Sequence, residues 1–229
     1  AAGKGTRMKS QRHKVLHPIA GRPMVEHLFA ALAELQPERT VVVVGEWRDQ
    51  LERQLAGRAD FVVQEPQLGT GHAVQQAEQA LAGFEGDVLV LYGDVPFVRS
   101  TTMRRMLDRL HADDLPEAVV LGFEPEDTLQ YGRVIADGDR ITWMVEHKDA
   151  DEGQRACRLC NSGLLAARAE TLFERLRKVR NDNAQGEYYL PDVVNVAISE
   201  GHPCAVVTTD DPDEVAGINS RAELAEAEA

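Results

Sequence analysis

The chain has 229 residues, 43% hydrophobic and 28% charged, a globular composition that excludes a disordered tail and allows a substantial buried core. Its 25 basic and 38 acidic residues leave a net charge of −13, which opposes a nucleic-acid backbone or an anionic membrane. Three cysteines are too few for a disulfide framework and point to a reducing compartment, hence the cytoplasm, and no apolar run is long enough to span a bilayer.

The chain opens on AAGKGTRMKSQRHK, in which Gly3 and Gly5 let the backbone turn tightly and bring N–H groups up to an anion. Lys4, Arg7, Lys9, Arg12 and Lys14 place five cations in these fourteen residues of an otherwise acidic protein. The stretch reads either as a polyphosphate loop or as a solvated basic turn. Because such a loop normally follows a strand, a first strand is expected upstream of Ala1.

A helix is predicted over 24–35 after Pro23, then a β-branched strand over 40–45, the kind buried on both faces of a parallel sheet. A helix near 47–56, a strand at 61–64 and a helix near 71–82 follow, and then an apolar strand at 87–94 that ends in Asp94. This alternation predicts a doubly wound α/β sheet with its ligands at the carboxyl ends of the strands. After a helix near 101–111 and a strand at 118–123, residues 131–149 read as short antiparallel strands around an Asp-Gly turn, an insertion or second lobe that completes the pocket rather than a separate domain. A strand through 161–166, a helix at 168–179, a polar loop at 181–187, a helix after Pro191, a strand at 205–209 and a helix from Asn219 complete the pattern.

Four further segments offer chemistry. In QEPQLGTGH, Gln64 and Thr70 can read a base edge and Gly69 and Gly71 permit close backbone approach, or the segment is an ordinary strand-to-helix connection with Thr70 as its cap. Asp94 in Tyr92-Gly93-Asp94 can hold a divalent cation against phosphates, or cap the next helix. Gly132, Glu146 and Asn161 can read sugar hydroxyls, or be turn and surface residues. Asn219 is a second metal ligand or a helix cap alone. Cys157-x-x-Cys160 reads as a strand entering the core, His72 as a helix-start residue, and the acidic run at 210–214 as a solvated turn. A dehydrogenase is disfavoured because the opening loop lacks G-x-G-x-x-G.

Taken together, A-A-G-x-G-T-R-M, Lys14-Val15-Leu16-His17, Ala20-Gly21-Arg22-Pro23-Met24, Q-L-G-T-G-H-A, G-D-V-P, Y-G-R-V, V-E-H-K-D-A, N-S-G and N-A-Q-G-E-Y-Y-L resemble, in their order, the N-terminal pyrophosphorylase domain of the bacterial N-acetylglucosamine-1-phosphate uridyltransferases. The resemblance implies a Rossmann-like α/β nucleotidyltransferase fold with a mixed, mainly parallel sheet flanked by helices and a small antiparallel sugar-binding lobe. It implies the joining of UTP to N-acetylglucosamine 1-phosphate, with Mg²⁺ as cofactor and neither nucleic acid nor membrane as partner. By matching position, Ala1, Ala2 and Gly3 with Gln64, Gly69 and Thr70 form the uridine pocket, and Arg7 and Lys14 lie along the triphosphate. Asp94 and Asn219 match the magnesium ligands; Gly132, Glu146 and Asn161, with Tyr92 nearby, match the sugar-binding set.

Two positions depart from the family pattern. His13 stands where a proline usually precedes the lysine, which implies a less rigidly presented Lys14, and Pro191 stands where a threonine is common. Residues 1–229 correspond to the nucleotidyltransferase domain alone; family members continue into a β-helical acetyltransferase domain that builds a homotrimer, which these residues do not encode. Rival readings are a transferase for another sugar 1-phosphate or base, and a non-catalytic nucleotide-sugar binding module.

Overall fold

The computed structural model describes residues 2–3, 6–128 and 131–228. Short 3₁₀ turns at Thr6–Met8 and Lys14–Leu16 lead into a small hairpin of β1 (Pro18–Ile19) and β2 (Arg22–Pro23), then α1 (Met24–Ala33). The parallel pair β3 (Val41–Val44) and β4 (Asp60–Val63) flanks α2 (Arg48–Gln54), and α3 (Thr70–Gln75) precedes β5 (Asp87–Val90). Next come α4 (Ser100–Leu110), β6 (Ala118–Phe123), the hairpin of β7 (Arg133–Asp137) and β8 (Arg140–Val145), and α5 (Glu152–Arg155). The chain continues through β9 (Cys160–Arg168), α6 (Ala169–Leu176), α7 (Asp192–Ser199), β10 (Cys204–Thr209) and α8 (Arg221–Ala227).

The central sheet has six strands in the order β5-β9-β6-β10-β8-β7. It is mixed, as expected, but less parallel than the alternation of strands and helices implies. Only β6 and β10 pair in parallel within it, because β9 inserts antiparallel between β5 and β6. The 131–149 region is no separate domain, as expected: β8 pairs with β10 and β7 with β9, so the hairpin extends the same sheet.

Strand β6 is buried along its whole length, and alternation sends its side chains to two cores. Ala118 and Val120 pack with Leu172, Leu176 and Val194 on one face; Val119, Leu121 and Phe123 pack with Met103, Met106 and Leu110 on the other. The buried Arg175 guanidinium anchors the first layer by donating to both carboxylate oxygens of Glu117 at 2.9 and 3.0 Å.

Among the described residues, β3 and β5 are each hydrogen-bonded on one side only, and the β3–β4 pair stands apart from the larger sheet. Between them lies a cavity of about 760 Å³ lined by Leu32, Val41, Val43, Val74, Val88 and Val90. Burial of 40–45 on both faces is therefore met only at Val44; Val41, Val42 and Val43 are half-buried against the cavity. Helix α3, expected to reach residue 82, ends at Gln75 and turns follow; Ala73, Ala77 and Leu81 line the cavity, and Leu81 also packs against the first core.

Candidate functional site

The strongest convergence joins three distant segments. Lys14 opens the second 3₁₀ turn, and its ammonium lies 2.5 Å from Asp94 Oδ2 and 3.1 Å from Asn219 Oδ1. The side chains of Lys14 and Asp94 are only 14% and 20% exposed, so water screens the pair weakly. Asn219 is brought there by a backbone bond, in which the Ile218 N–H donates to the Asp94 carbonyl at 2.8 Å.

The capping alternatives for these residues fall away. Helix α8 is capped by Ser220, which forms a reciprocal capping box with Glu223, leaving the Asn219 side chain to Lys14. Helix α4 begins after Arg99, so Asp94 caps nothing. The weak presentation expected of Lys14 is also corrected: the N–H of the buried His13 donates to Gln50 Oε1 at 2.8 Å, and its ring accepts from the Val15 N–H. These two bonds hold the turn in the role assigned to a proline.

Ala2, Gly3, Lys14, Gln64, Gly69, Thr70, Tyr92 and Asp94 border the same cavity. At Gly3 a Cβ would meet no protein atom within 4 Å, so the space above it is open to a ligand. The Gln64 amide NH₂ is engaged by the Gly69 carbonyl at 2.9 Å and the His72 ring at 3.1 Å. With both donors occupied, Gln64 offers a ligand its carbonyl, an acceptor suited to the N3–H of a uracil-type base and unsuited to cytosine N3.

The loop glycines have a different reason from the one their sequence suggests. Gly69, at φ +113°, and Gly71 lie against the Tyr188 backbone; a Cβ on them would stand 2.6 and 3.0 Å from its carbonyl oxygen. Their close approach is to protein. Thr70 is not the helix cap, a position Gly69 holds; its hydroxyl accepts from the Leu190 N–H at 2.9 Å and lies near the Tyr92 phenol.

The residues expected to meet a sugar also come together. Gly132 accepts from the Asn161 N–H at 2.9 Å, and a Cβ on it would crowd the Glu146 carboxylate at 3.3 Å. Burial, followed by the charges of Asp192 and Asp149, holds the Glu146 carboxyl above the usual carboxylate range. Burial likewise raises the Tyr92 phenol, so it stays a neutral donor and acceptor at neutral pH.

Not every candidate joins this site. Arg7 sits exposed on the first 3₁₀ turn, away from the cavity lining, and Ala1, like Lys4 and Gly5, lies outside the described residues. Three participants were missed in the sequence. Gln67 donates its amide to the Ala2 carbonyl, tying the opening loop to the loop that precedes α3. Gly45 leaves room for that bond: its Cβ would stand 2.6 Å from both groups. Gly163, at φ +90°, lets the Tyr92 ring lie over the backbone of β9. A glycine closing a β-branched run was the only signal for Gly45, and the Asn-Ser-Gly triplet for Gly163. Among the described residues no group of three or more His, Cys, Asp or Glu could hold a metal, and no helix is long and apolar enough to cross a membrane.

Comparison with known proteins gives the family and the fold. The chain is 72% identical over 228 residues to the bifunctional protein GlmU of Novosphingobium aromaticivorans and 68% identical over 229 residues to that of Sphingopyxis alaskensis. Each match covers all of this chain and 51% of the relative, so the chain spans about half the length of the curated relatives it matches. Among solved structures, a UDP-glucose pyrophosphorylase complexed with UDP-glucose superimposes with a TM-score of 0.76 at 20% identity, covering 100% of this chain and 94% of that one. A putative glucose-1-phosphate thymidylyltransferase from Bacillus anthracis gives 0.78 at 18% identity, with coverage of 100% and 91%. These likenesses show the fold, a Rossmann-like nucleotidyltransferase α/β architecture. The family model for the MobA-like NTP transferase domain matches residues 1–190, and the chain belongs to that family.

Proposed function

We propose that this chain transfers the uridylyl group of UTP to N-acetylglucosamine 1-phosphate, giving UDP-N-acetylglucosamine and pyrophosphate. The observation that carries the reading is the meeting of Lys14, Asp94 and Asn219 beside a cavity that Ala2, Gly3 and Gln64 also line. The motif order and the 72% identity to a GlmU protein support the uridylyl and acetylated-sugar specificity. The Gln64 carbonyl accepts from the base in a uridine pocket that Ala2, Gly3, Gly69 and Thr70 complete, and Lys14 meets the phosphates. Arg7, and Ala1 in the uridine pocket, belong to this reading by motif position alone.

An ionised oxygen of the sugar phosphate attacks the α-phosphorus as the bond to the β-phosphate breaks, and pyrophosphate leaves with the bonding pair. No proton has to be removed, so alignment and charge neutralisation suffice. A divalent cation, which we propose is Mg²⁺, fits between Asp94 and Asn219, whose oxygens already converge on a cation, and when bound it neutralises phosphate oxygens. Gly132, Glu146, Asn161 and Tyr92 hold the sugar. The reading carries with it a cytoplasmic location, and a homotrimer assembled through a C-terminal acetyltransferase domain. A strand preceding Ala1 belongs to it as well, filling the space between β3 and β5.

Pyrophosphate release is the test. Lys14→Ala and Asp94→Ala are each expected to lose about a hundredfold in turnover, the scale of one electrostatic contact to the transition state. UTP with the acetylated sugar phosphate should outrun other pairs in a substrate panel. Near-normal release by either variant, or calorimetric binding of UDP-sugar with no metal-dependent turnover, defeats the proposal.

A further inference from the structure

Lys14 has a second capability that its place beside a triphosphate does not require. Its ammonium is bonded to the same two oxygens, Asp94 Oδ2 and Asn219 Oδ1, that are proposed to hold the metal. A cation and an ammonium cannot both occupy that position, since at such separations their repulsion far exceeds thermal energy in a weakly screened site. The Lys14 side chain is mostly buried, and its turn is fixed through His13 and Gln50, so the ammonium is held rather than sampling the site from solvent.

We infer that Lys14 is the built-in occupant of the cation site in the nucleotide-free protein. Metal enters as the ammonium leaves, and what the ammonium leaves for is the phosphate charge brought by the nucleotide. Metal and nucleotide are therefore coupled through one side chain: each lowers the cost of binding the other, by the same factor in both directions. Free of nucleotide, the protein keeps Asp94 and Asn219 in their working positions without retaining metal. The inference rests on the proposed metal site, and the experiment separates the two.

The probe is Mn²⁺ alone, followed by electron paramagnetic resonance of the free ion on the full chain without nucleotide. Lys14→Met is expected to bind Mn²⁺ at least tenfold more tightly than the native protein, whereas Lys14→Arg, which keeps a cation at the position, should not. Arg12→Met removes a neighbouring charge that is not bonded to the pair and should change affinity less than twofold, which separates displacement from a general loss of repulsion. Adding Asp94→Asn to Lys14→Met should abolish the gain. Thermal melts establish that each variant is folded, and Lys14→Gln serves if the methionine variant is not. No gain in the folded Lys14→Met or Lys14→Gln protein, or a gain that survives Asp94→Asn, overturns the inference. Mn²⁺ binding supported by UTP in the native protein but indifferent to Asp94→Asn defeats the metal site itself.

Discussion

The backbone N–H of Leu190 donates to the hydroxyl of Thr70 at 2.9 Å, joining the loop proposed to read the base to the segment that leads into α7. The Tyr92 phenol lies near the same hydroxyl. Thr70→Val keeps the shape and removes the oxygen, leaving the Leu190 N–H without its partner. It is expected to lower stability by about 1–3 kcal/mol and to raise KM for both substrates, while Thr70→Ser retains most of each. Denaturant melts and initial rates check this; a native-like valine variant would show that the two loops are held independently.

Gly163 and Tyr92 form a second dependence. A side chain on Gly163 is strained at φ +90° and meets the Tyr92 ring. Gly163→Ala should cost about 1–3 kcal/mol, and the cost should shrink when Tyr92→Ala is combined with it, because the collision is then gone and only the backbone strain remains. Additive costs in the double variant would place the penalty elsewhere.

The acidic cluster of Glu146, Asp149 and Asp192 predicts a pH signature. Burial raises both Glu146 and Asp192, so the folded protein keeps those protons to higher pH than the unfolded chain does. Their contribution to stability is present below the unfolded carboxylate pKa and is lost as pH rises through the raised folded values. Glu146→Gln removes one such group, so its melting temperature should gain on the native protein as pH rises through that interval. A difference that stays constant from pH 4 to 8 would contradict this assignment.

The cavity between β3 and β5 makes a fourth prediction. Its walls are mostly apolar, and among the described residues both strands present an unpaired edge across it. An extended, β-branched apolar segment encoded immediately before Ala1, or supplied as a peptide, should pair with both edges and raise the melting temperature by several degrees. Lysine at the central position of that segment should cancel the effect, since its charge would be carried into an apolar slot. Equal stabilisation by the lysine-bearing segment would show that the cavity is not a strand site.

Much of the fold was legible along the chain. Strand β6 matched its predicted span because six consecutive apolar residues admit little but a strand buried on both faces. The glycine-rich opening, Asp94 just beyond β5 and the order of motifs carried the proposed chemistry, because phosphate and metal binding need particular side chains at short spacings. These are local properties, readable without knowing what lies opposite.

Pairing was decided only in three dimensions. Lys14 and Asn219, 205 residues apart, meet because Ile218 bonds the carbonyl of Asp94, and Asn219 is available because Ser220 takes the cap that either residue could have filled. Gly69 and Gly71 are shaped by Tyr188, and β9 runs against its neighbours, for the same reason. A hydrogen-bonding group has several possible partners within its own stretch of chain, and which of them it keeps depends on what the rest of the fold brings alongside.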